Sequence, residues 1–401
     1  MRVLVVTDKY PAPGFPDWNT WMLDHLAAIS QCAAVDVVAL VYLVPRLRNV
    51  VRVQSMWRRL RSIRRLPRTQ VQRNGIRVHY LRILNFPSTL SWKLLPLFIS
   101  AQCRLRFPRN LRGENYDLCL IHGTYPVGQF GLNLSKRLGI PAIIVNHEGV
   151  EIYGEYFRPV ARKTVVKTLE QADVIIALSN AHVKELEKIL PRSRIVTIPH
   201  IVQVRERYVQ ASDDEIFRIV TACRLDAPEK DVDTLLRAFS IVRTYCRSKL
   251  TIAGDGYQYG RFVRKSQDLG LSADVRFAGW LSMTELQREI MDHNAFVLPS
   301  HYETFGLAIG NTLALGIPAV SLKRVGFLED ETLEEIGCLV AEPPNAEGLA
   351  AALISLQTDP MLRRTLGKNG QAFVARQFSV EKHISNYCEV FGSVVDERFG
   401  R

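Results

Sequence analysis

The stretch HYETFGLAIGNTLALGIPAV, residues 301–320, decides the fold of this chain. It follows the apolar run AFVLPS, which predicts a buried strand, and it carries a lone carboxylate, Glu303, ahead of the pair Phe305-Gly306. Residues 306–315 have the pattern of a buried helix that a following glycine and proline bring to an end. A helix that begins behind a strand end presents unpaired backbone N–H groups, which suit a phosphate. The stretch therefore predicts an anion site, at which Glu303 either accepts hydrogen bonds from sugar hydroxyls or only favours the helix dipole.

The same alternation of apolar strands and amphipathic helices runs along most of the 401 residues. It begins with RVLVVTD near the N-terminus and starts again with FRIVTACRL after the polar segment VQASDDE. This alternation predicts parallel sheets with helices on both faces. Two doubly wound halves joined near residue 205 fit the length better than one large sheet. Because ligands of such sheets bind at the carboxyl ends of the strands, we expect the site in a cleft between the halves.

A second candidate for anion binding lies in the segment CRLDAPEKDVDTLL, on the loop between a strand and its helix. Arg224 and Lys230 could clamp a pyrophosphate there, Arg224 through two parallel hydrogen bonds and Lys230 as a point charge. Taken alone, the pair is equally compatible with a solvated loop. The carboxylates of Asp231 and Asp233 spell D-x-D, but they stand at a helix start where acids favour the dipole, so we expect no metal site.

Positive charge is concentrated in the first half of the chain. Residues 1–200 hold 29 basic and 13 acidic residues, a net charge of +16, whereas the whole chain carries +12. This asymmetry indicates an anionic partner for the first half. In VRVQSMWRRLRSIRRLPR, residues 51–68, apolar residues recur at helical spacing. The segment predicts an interfacial helix on an anionic membrane surface, through Trp57, Arg58, Arg59, Arg61, Arg64 and Arg65. A core-packed helix with a solvated basic face is the alternative, and no nucleic-acid motif accompanies the charge.

Several classes of protein are not indicated by the sequence. No apolar stretch is long enough to predict a transmembrane helix, and the N-terminus has the pattern of a strand, with no signal-peptide cleavage site. The seven cysteines are scattered singly, with no C-x-x-C pair. We therefore expect reduced thiols in a cytoplasmic protein and no zinc site.

Together these segments resemble the retaining GT-B glycosyltransferases of family 4, also called glycosyl transferases group 1. The resemblance rests on RLDAPEKDVDTLLRAF, LTIAGDG, DVRFAGWLS and FVLPSHYETFGLAIGNTLALGIPAVS, and it covers most of residues 215–392. It is looser in the first half, where IIVNHEGVEI is similar to the family's histidine-bearing region. The resemblance implies a GT-B fold, two Rossmann-like domains that face a cleft. Residues 1–204 would bind acceptor and membrane, residues 205–378 would bind nucleotide-sugar, and a helix in 379–401 would cross back.

The resemblance also implies roles for residues of the second half. Arg224 and Lys230 would neutralise the donor diphosphate, and Glu303 would lie near the donor sugar. Backbone N–H groups of Phe305, Gly306 and Leu307 would bind phosphate. Asn311 stands where the family's second glutamate binds the ribose hydroxyls. An uncharged amide makes a weaker hydrogen bond, so the nucleotide would be held less tightly or differently, or the site would be disabled.

In the first half, the resemblance places His147 beside the transferred sugar and makes Glu148 or Glu151 an acceptor contact. It implies a retaining transfer of a hexose from a nucleotide-sugar to a lipid-linked or polysaccharide acceptor. UDP is the expected nucleotide of the donor. The enzyme would act without a metal, on the inner face of the cytoplasmic membrane, in the synthesis of bacterial cell-surface glycans. The alternatives are a catalytically silent subunit that binds glycan or lipid, and a sugar-nucleotide epimerase on the same fold.

Overall fold

A computed structural model of the protein describes residues 1–11, 19–42, 67, 69–72, 75–83, 101, 102, 111, 113–149, 159–204, 215–227, 229–329 and 333–400. The chain forms two compact units. Unit 1 comprises Met1–Ile201 together with Glu381–Arg401, and unit 2 comprises Val202–Val380. No helix in the described part of the chain is both long and apolar enough to cross a membrane.

Unit 1 is built on an eight-stranded sheet. Its strands are β1 (Arg2–Thr7), β2 (Ala34–Tyr42), β3 (Thr69–Val71), β4 (Arg77–Ile83), β5 (Leu118–His122), β6 (Ala142–Val145), β7 (Val174–Ala177) and β8 (Ile195–Thr197). The strand order is β3-β4-β2-β1-β5-β6-β7-β8, and every pair is parallel except β3 with β4. The central strands are largely apolar, as expected of strands that are buried on both faces. The helices are α1 (Trp21–Ile29), α2 (Val127–Leu138), α3 (Pro159–Leu169), α4 (Asn180–Ile189) and the C-terminal helix (Val380–Phe399).

The register of this sheet brings the ends of its central strands into one line. Thr7 of β1 pairs with His122 of β5, and His122 pairs with Val145 of β6. The loops that follow these strands therefore leave the sheet side by side, which gathers their polar residues at one edge.

The opposite, amino edge of the sheet is held by an ion-pair network around the buried carboxylate of Asp36. The Asp36 carboxylate accepts hydrogen bonds from the guanidinium groups of Arg2 and Arg77, at 2.7 and 2.8 Å, and from the Tyr116 hydroxyl at 2.8 Å. Both arginines also pair with Glu114. These residues begin β1, β2 and β4 or precede β5, so the network fixes the strands' relative positions far from the carboxyl edge.

Unit 2 contains a second, six-stranded sheet in which all pairs are parallel. Its strands are β9 (Phe217–Ala222), β10 (Ser248–Ala253), β11 (Val275–Gly279), β12 (Ala295–Leu298), β13 (Ala319–Ser321) and β14 (Cys338–Val340), in the order β11-β10-β9-β12-β13-β14. Its helices are α5 (Val232–Tyr245), α6 (Tyr259–Asp268), α7 (Met283–Met291), α8 (Leu307–Ala314), α9 (Leu333–Ile336), α10 (Ala346–Thr358) and α11 (Pro360–Gln377), with a 3-10 turn at Gly326–Glu329. The predicted alternation of strand and helix is thus confirmed in both halves, and the short antiparallel edge strand β3 is an element that departs from it.

A disulfide joins the two ends of unit 1. Cys32, shortly after α1, is bonded to Cys388 of the C-terminal helix. The expectation that every cysteine is a reduced thiol is therefore wrong for this pair. Sequence pattern gave no sign of it, because 356 positions separate the two residues and only the return of the C-terminal helix brings them together. The other described cysteines are thiols, at positions 119, 223, 246 and 338.

Candidate functional site

In unit 2, the loop after β9 presents two basic side chains in different ways. The Arg224 side chain is 64% exposed, and its nearest carboxylates, on Asp226 and Glu229, lie 3.8 Å away. Lys230 is mostly buried, and its ammonium group donates a hydrogen bond to the Glu303 carboxylate. The sequence thus predicted two anion-binding residues and one sugar-binding residue, and the structure brings Lys230 and Glu303 into direct contact although 73 positions separate them. Arg224 is the more accessible cation of the two.

Two glycines hold this loop in place, and the sequence pattern did not single them out as part of the site. Gly254 has a φ of +140°, and a Cβ atom there would lie 1.9 Å from the Cys223 carbonyl oxygen. A Cβ atom on Gly256 would lie 2.4 Å from the backbone nitrogen of Asp226. The loop after β10 therefore packs backbone against backbone on the loop that carries Arg224, which only glycine allows. The signal was present in the segment AGDG, but a short glycine pair is too common to identify a site.

Helix α8 begins at Leu307, one residue after the predicted start, and Gly306 is its N-cap. Gly306 caps the helix with a φ of +96°, a left-handed conformation that a side chain disfavours. The Phe305 ring before it is buried against the rings of Phe327 and Phe378, and the Phe327 backbone N–H donates to the Phe305 carbonyl at 3.1 Å. This packing fixes the direction in which the first N–H groups of the helix, from Leu307 onward, point. Their binding of phosphate stays a prediction.

The remaining predicted residues of unit 2 are placed as follows. Asn311 lies in the second turn of α8 and is partly buried. Asp231 caps α5 by accepting from the Thr234 backbone N–H at 3.0 Å, and it also contacts His301 at 2.9 Å. Asp233 pairs with basic residues of α6. The D-x-D carboxylates thus have structural partners of their own.

In unit 1, the carboxyl edge of the sheet carries a cluster of histidines, in which His25, His122 and His383 are buried and His147 and His200 are partly buried. His147 follows β6, and its Nε2 lies 3.0 Å from Nδ1 of His122, the last residue of β5. Trp21 and His200 pack on the His147 ring at centroid distances of 5.0 and 5.4 Å. The sequence analysis identified His147 and did not single out His122. The other members of the cluster come from α1, from the loop after β8 and from the C-terminal helix, so no local pattern could reveal them.

Burial keeps this cluster uncharged near neutral pH. It lowers the pKa of His147 well below the usual value, and His200 and Lys9 lower it further by charge repulsion. Burial also lowers the pKa of His200 to about 3 and that of His383 to about 4. A charged imidazole would lose its hydration in this site, which disfavours the protonated form. His147 can therefore exchange hydrogen bonds with a sugar, but it does not supply a positive charge.

Glu148, one of the two residues predicted to contact the acceptor substrate, forms an ion pair within unit 1. Its Oε1 accepts a hydrogen bond from the Lys9 ammonium group at 2.8 Å, and its Oε2 is buried and has no hydrogen-bond partner among the described residues. Asn146, which the sequence analysis missed, is fully buried between β6 and His147, and its side-chain amide also lacks a partner in the described part of the chain. Such unsatisfied polar groups at the carboxyl edge of a sheet are typical of a site that is completed by a ligand or by water.

Some predicted residues lie outside the described part of the chain. They are Glu151 and the proposed membrane-binding set Trp57, Arg58, Arg59, Arg61, Arg64 and Arg65. Their roles stay predictions.

Comparisons with known proteins agree with this arrangement. The model of "Glycosyltransferase Family 4" matches residues 37–206, and that of "Glycosyl transferases group 1" matches residues 205–373. N-acetyl-alpha-D-glucosaminyl L-malate synthase of Bacillus anthracis is 23% identical over 302 residues, which cover 72% of this chain and 78% of that protein. Sucrose-phosphate synthase of Thermosynechococcus elongatus superposes with a TM-score of 0.79 at 21% identity over 99% of both chains. HepE of Anabaena, solved with UDP and glucose, gives a TM-score of 0.70 at 16% identity over 98% of this chain and 99% of that one.

The two family models meet at residue 205 and together span residues 37–373. The structural neighbours match along nearly the whole chain, including both sheets, which confirms the predicted GT-B fold. The chain is a glycosyltransferase of the GT-B fold and belongs to the group 1, family 4 glycosyltransferases.

Proposed function

We propose that this enzyme transfers a hexose, with retention of anomeric configuration, from UDP-sugar to a lipid-linked or polysaccharide acceptor of the bacterial cell surface. The observation that carries the donor half of the proposal is the contact between Lys230 and Glu303 beside the accessible guanidinium of Arg224. It joins two cations suited to a diphosphate with a carboxylate suited to sugar hydroxyls. HepE, a neighbour in fold, was solved with UDP and glucose, which makes UDP the first nucleotide to test.

In this proposal, rate enhancement comes from charge stabilisation and positioning. As the bond between sugar and phosphate breaks, negative charge grows on the departing diphosphate, and Arg224, Lys230 and the N-terminus of α8 stabilise it. The acceptor hydroxyl attacks from the face that the diphosphate leaves, and its proton passes to the departing phosphate oxygen. His147, which burial keeps neutral, hydrogen-bonds to the sugar and helps to hold it in the reactive orientation.

Calorimetric titration of UDP, GDP and ADP tests the donor site. We expect one nucleotide, UDP, to bind the wild type, and we expect Arg224→Ala to weaken it by at least tenfold, because a charge-assisted hydrogen bond contributes about 1.5–3 kcal/mol. Arg243→Ala is a matched control, because Arg243 pairs with Asp274 at the amino edge of the same sheet. Absence of binding at millimolar concentration would mean that Asn311 marks a disabled site and would favour the silent subunit.

Product analysis with a labelled donor separates the remaining alternatives. A transferase releases UDP only as sugar appears on an acceptor, whereas an epimerase converts the donor without any acceptor. The silent subunit does neither. We further propose that transfer persists in the presence of EDTA, because the D-x-D carboxylates already cap α5 and pair with α6.

The proposed location is the inner face of the cytoplasmic membrane, and it is supported by the excess of basic residues in the first half of the chain. Co-sedimentation with vesicles of anionic lipid tests it. We expect binding that falls with rising salt and that is lost when Arg58, Arg59 and Arg61 are replaced by glutamine. Binding that does not depend on the anionic lipid would contradict this part of the proposal.

A further inference from the structure

Two loops of unit 2 meet beside the candidate donor site. The Glu303 loop, residues 299–306, joins β12 to α8, and the Lys230 segment, residues 229–231, leads into α5. Strand β12 pairs with β9 in the sheet, so the chain leaves both strands at the same carboxyl edge. The contact between Lys230 and Glu303 joins the two loops. Under the proposed function, a diphosphate would draw the Lys230 ammonium group away from that carboxylate, and this contact would be lost.

His301 joins the same two loops at the positions on either side of Lys230. Its Nε2 lies 2.9 Å from Asp231 Oδ2, and its backbone N–H donates to the Glu229 carbonyl oxygen at 2.8 Å. The Glu229 carboxylate is itself 3.8 Å from the Arg224 guanidinium group. The Glu303 loop is therefore bound to the Lys230 segment through the ring and through the backbone of His301, next to both predicted phosphate-binding cations.

The Asp231 carboxylate is held in place by the start of α5. Its Oδ1 accepts from the Thr234 backbone N–H at 3.0 Å, and its Oδ2 accepts from the Thr234 hydroxyl at 2.6 Å. Burial raises the pKa of Asp231, but hydrogen bonds from Thr234 and His301 outweigh burial, so this pKa lies below its usual value. An ionised carboxylate can only accept, so the hydrogen between the two side chains lies on His301 Nε2. The bond is charge-assisted, and it uses no atom of Lys230 or Glu303.

We propose that Asp231 and His301 are positioning residues that keep the Glu303 loop on the Lys230 segment while the donor diphosphate binds Lys230. The part concerning the donor rests on the function proposed above, whereas the link between the loops is a property of the free protein. Glu303 stands two residues after His301 in the same loop. A loop held at His301 therefore keeps the Glu303 carboxylate beside the donor sugar after its ammonium partner has turned to the phosphate. Neither Asp231 nor His301 has to touch the donor in this role.

Hydrogen exchange of the free protein tests the link between the loops. The exchange rates of the backbone amides of residues 301–306 report the free energy of opening the Glu303 loop. We expect His301→Leu to speed this exchange about fivefold, because a partly exposed, charge-assisted hydrogen bond is lost. In His301→Gln the side-chain amide nitrogen takes the place of Nε2, so exchange should stay within about twofold of the wild type. His301→Leu should have the same effect in a Lys230→Met background, because the two side-chain contacts are separate.

A second ion pair at the start of α5 supplies a matched control. Arg261 of α6 pairs with Asp233 at 2.5 Å, two residues after Asp231, so Arg261→Leu removes a basic partner of the same helix start. It should leave the exchange of residues 301–306 within about twofold of the wild type. Unchanged exchange in His301→Leu would overturn the proposal. An increase that disappears in the Lys230→Met background would also overturn it, because His301 would then act only through the contact between Lys230 and Glu303.

Turnover tests whether the link positions Glu303. We expect His301→Leu to lower kcat about tenfold while the Kd of UDP changes less than about twofold, because Arg224 and Lys230 stay in place. His301→Gln should keep kcat within about threefold of the wild type. In a Glu303→Gln background, His301→Leu should lower kcat further by less than about twofold, because it acts through Glu303.

The outcomes separate this proposal from the function on which it rests. Equal losses of UDP affinity and of turnover in His301→Leu would indicate a general loss of structure and would overturn the positioning role. A full additional loss of turnover in the Glu303→Gln background would overturn it as well. A wild type that binds no nucleotide would instead overturn the proposed function, and the exchange test on the free protein would stay in force.

Discussion

The contact between Lys230 and Glu303 makes an unusual prediction about nucleotide affinity. In the unliganded protein the carboxylate holds the ammonium group that is needed for the diphosphate. Replacing Glu303 by glutamine should therefore strengthen the binding of UDP while it weakens transfer of the sugar. An ordinary loss of structure at the site would weaken both.

The structure sets the expected magnitude. The side chains of Lys230 and Glu303 are 15% and 17% exposed, so their attraction lies between that of a surface pair and that of a fully buried one. We take about 1 kcal/mol as the attraction between Lys230 and Glu303 that is lost when UDP binds to Lys230. This corresponds to a change of about fivefold in the Kd of UDP at 25 °C. Turnover should fall at least tenfold, because the glutamine no longer offers two charged acceptors to the sugar hydroxyls.

The assay is calorimetric titration of UDP at low and at high ionic strength, followed by initial rates of transfer. Asp274→Asn is the matched control, since it removes the same charge from the same unit. Asp274 pairs with Arg243 and Lys249 at the amino edge of the sheet, so its loss should leave UDP binding unchanged. The gain in Glu303→Gln should shrink as salt rises. Weaker UDP binding in Glu303→Gln than in the wild type would refute the reasoning.

Three further perturbations follow from the geometry. Asp36→Ala should lower the free energy of unfolding of unit 1 by about 2 kcal/mol, measured by urea denaturation, because two partly exposed guanidinium groups lose their shared acceptor. Gly254→Ala should abolish UDP binding by moving the loop of Arg224, whereas Gly260→Ala, whose Cβ would meet only a flexible arginine tip at 3.9 Å, should leave binding intact. Burial lowers the pKa of His200 to about 3 and that of His383 to about 4, below the value of about 6.5 in the unfolded chain. The unfolded chain therefore binds protons first, and the free energy of unfolding is at its full value above pH 6.5 and falls as the pH is lowered toward 4. The free energy of unfolding should decrease by up to ~1.4 kcal/mol per pH unit for each histidine. His383→Gln should make this dependence on pH less steep.

Much of the fold could be predicted because each sheet is assembled from local patterns. A run such as AFVLPS forms a buried strand, and the pair Phe305-Gly306 stands at the start of the helix that follows it. The boundaries of β12 and α8 follow from these few residues. The edge strand β3 escaped prediction, because a three-residue antiparallel strand has no periodicity to detect.

The candidate site was predictable only where it depends on single loops. Arg224, Lys230 and Glu303 stand directly after strand ends, so sequence order already places them at one edge of a sheet. The contact between His25 and His383 was not predictable. The two residues are 358 positions apart and meet only through the return of the C-terminal helix. The disulfide between α1 and that helix was missed for the same reason.

The two units differ in the kind of chemistry their sites can supply. In unit 2 the polar groups at the carboxyl edge are charged and partly exposed. Such groups suit a donor that binds from water and whose diphosphate is the leaving group. In unit 1 burial keeps the imidazoles of His147 and His122 neutral, and their facing ring nitrogens lie 3.0 Å apart. A cationic histidine would attract the diphosphate and compete with Arg224 for it, whereas a neutral imidazole adds no charge to its hydrogen bonds with hydroxyl groups. We therefore expect a neutral His147 to favour sugar hydroxyls over phosphate, so that the diphosphate is left to the cations of unit 2.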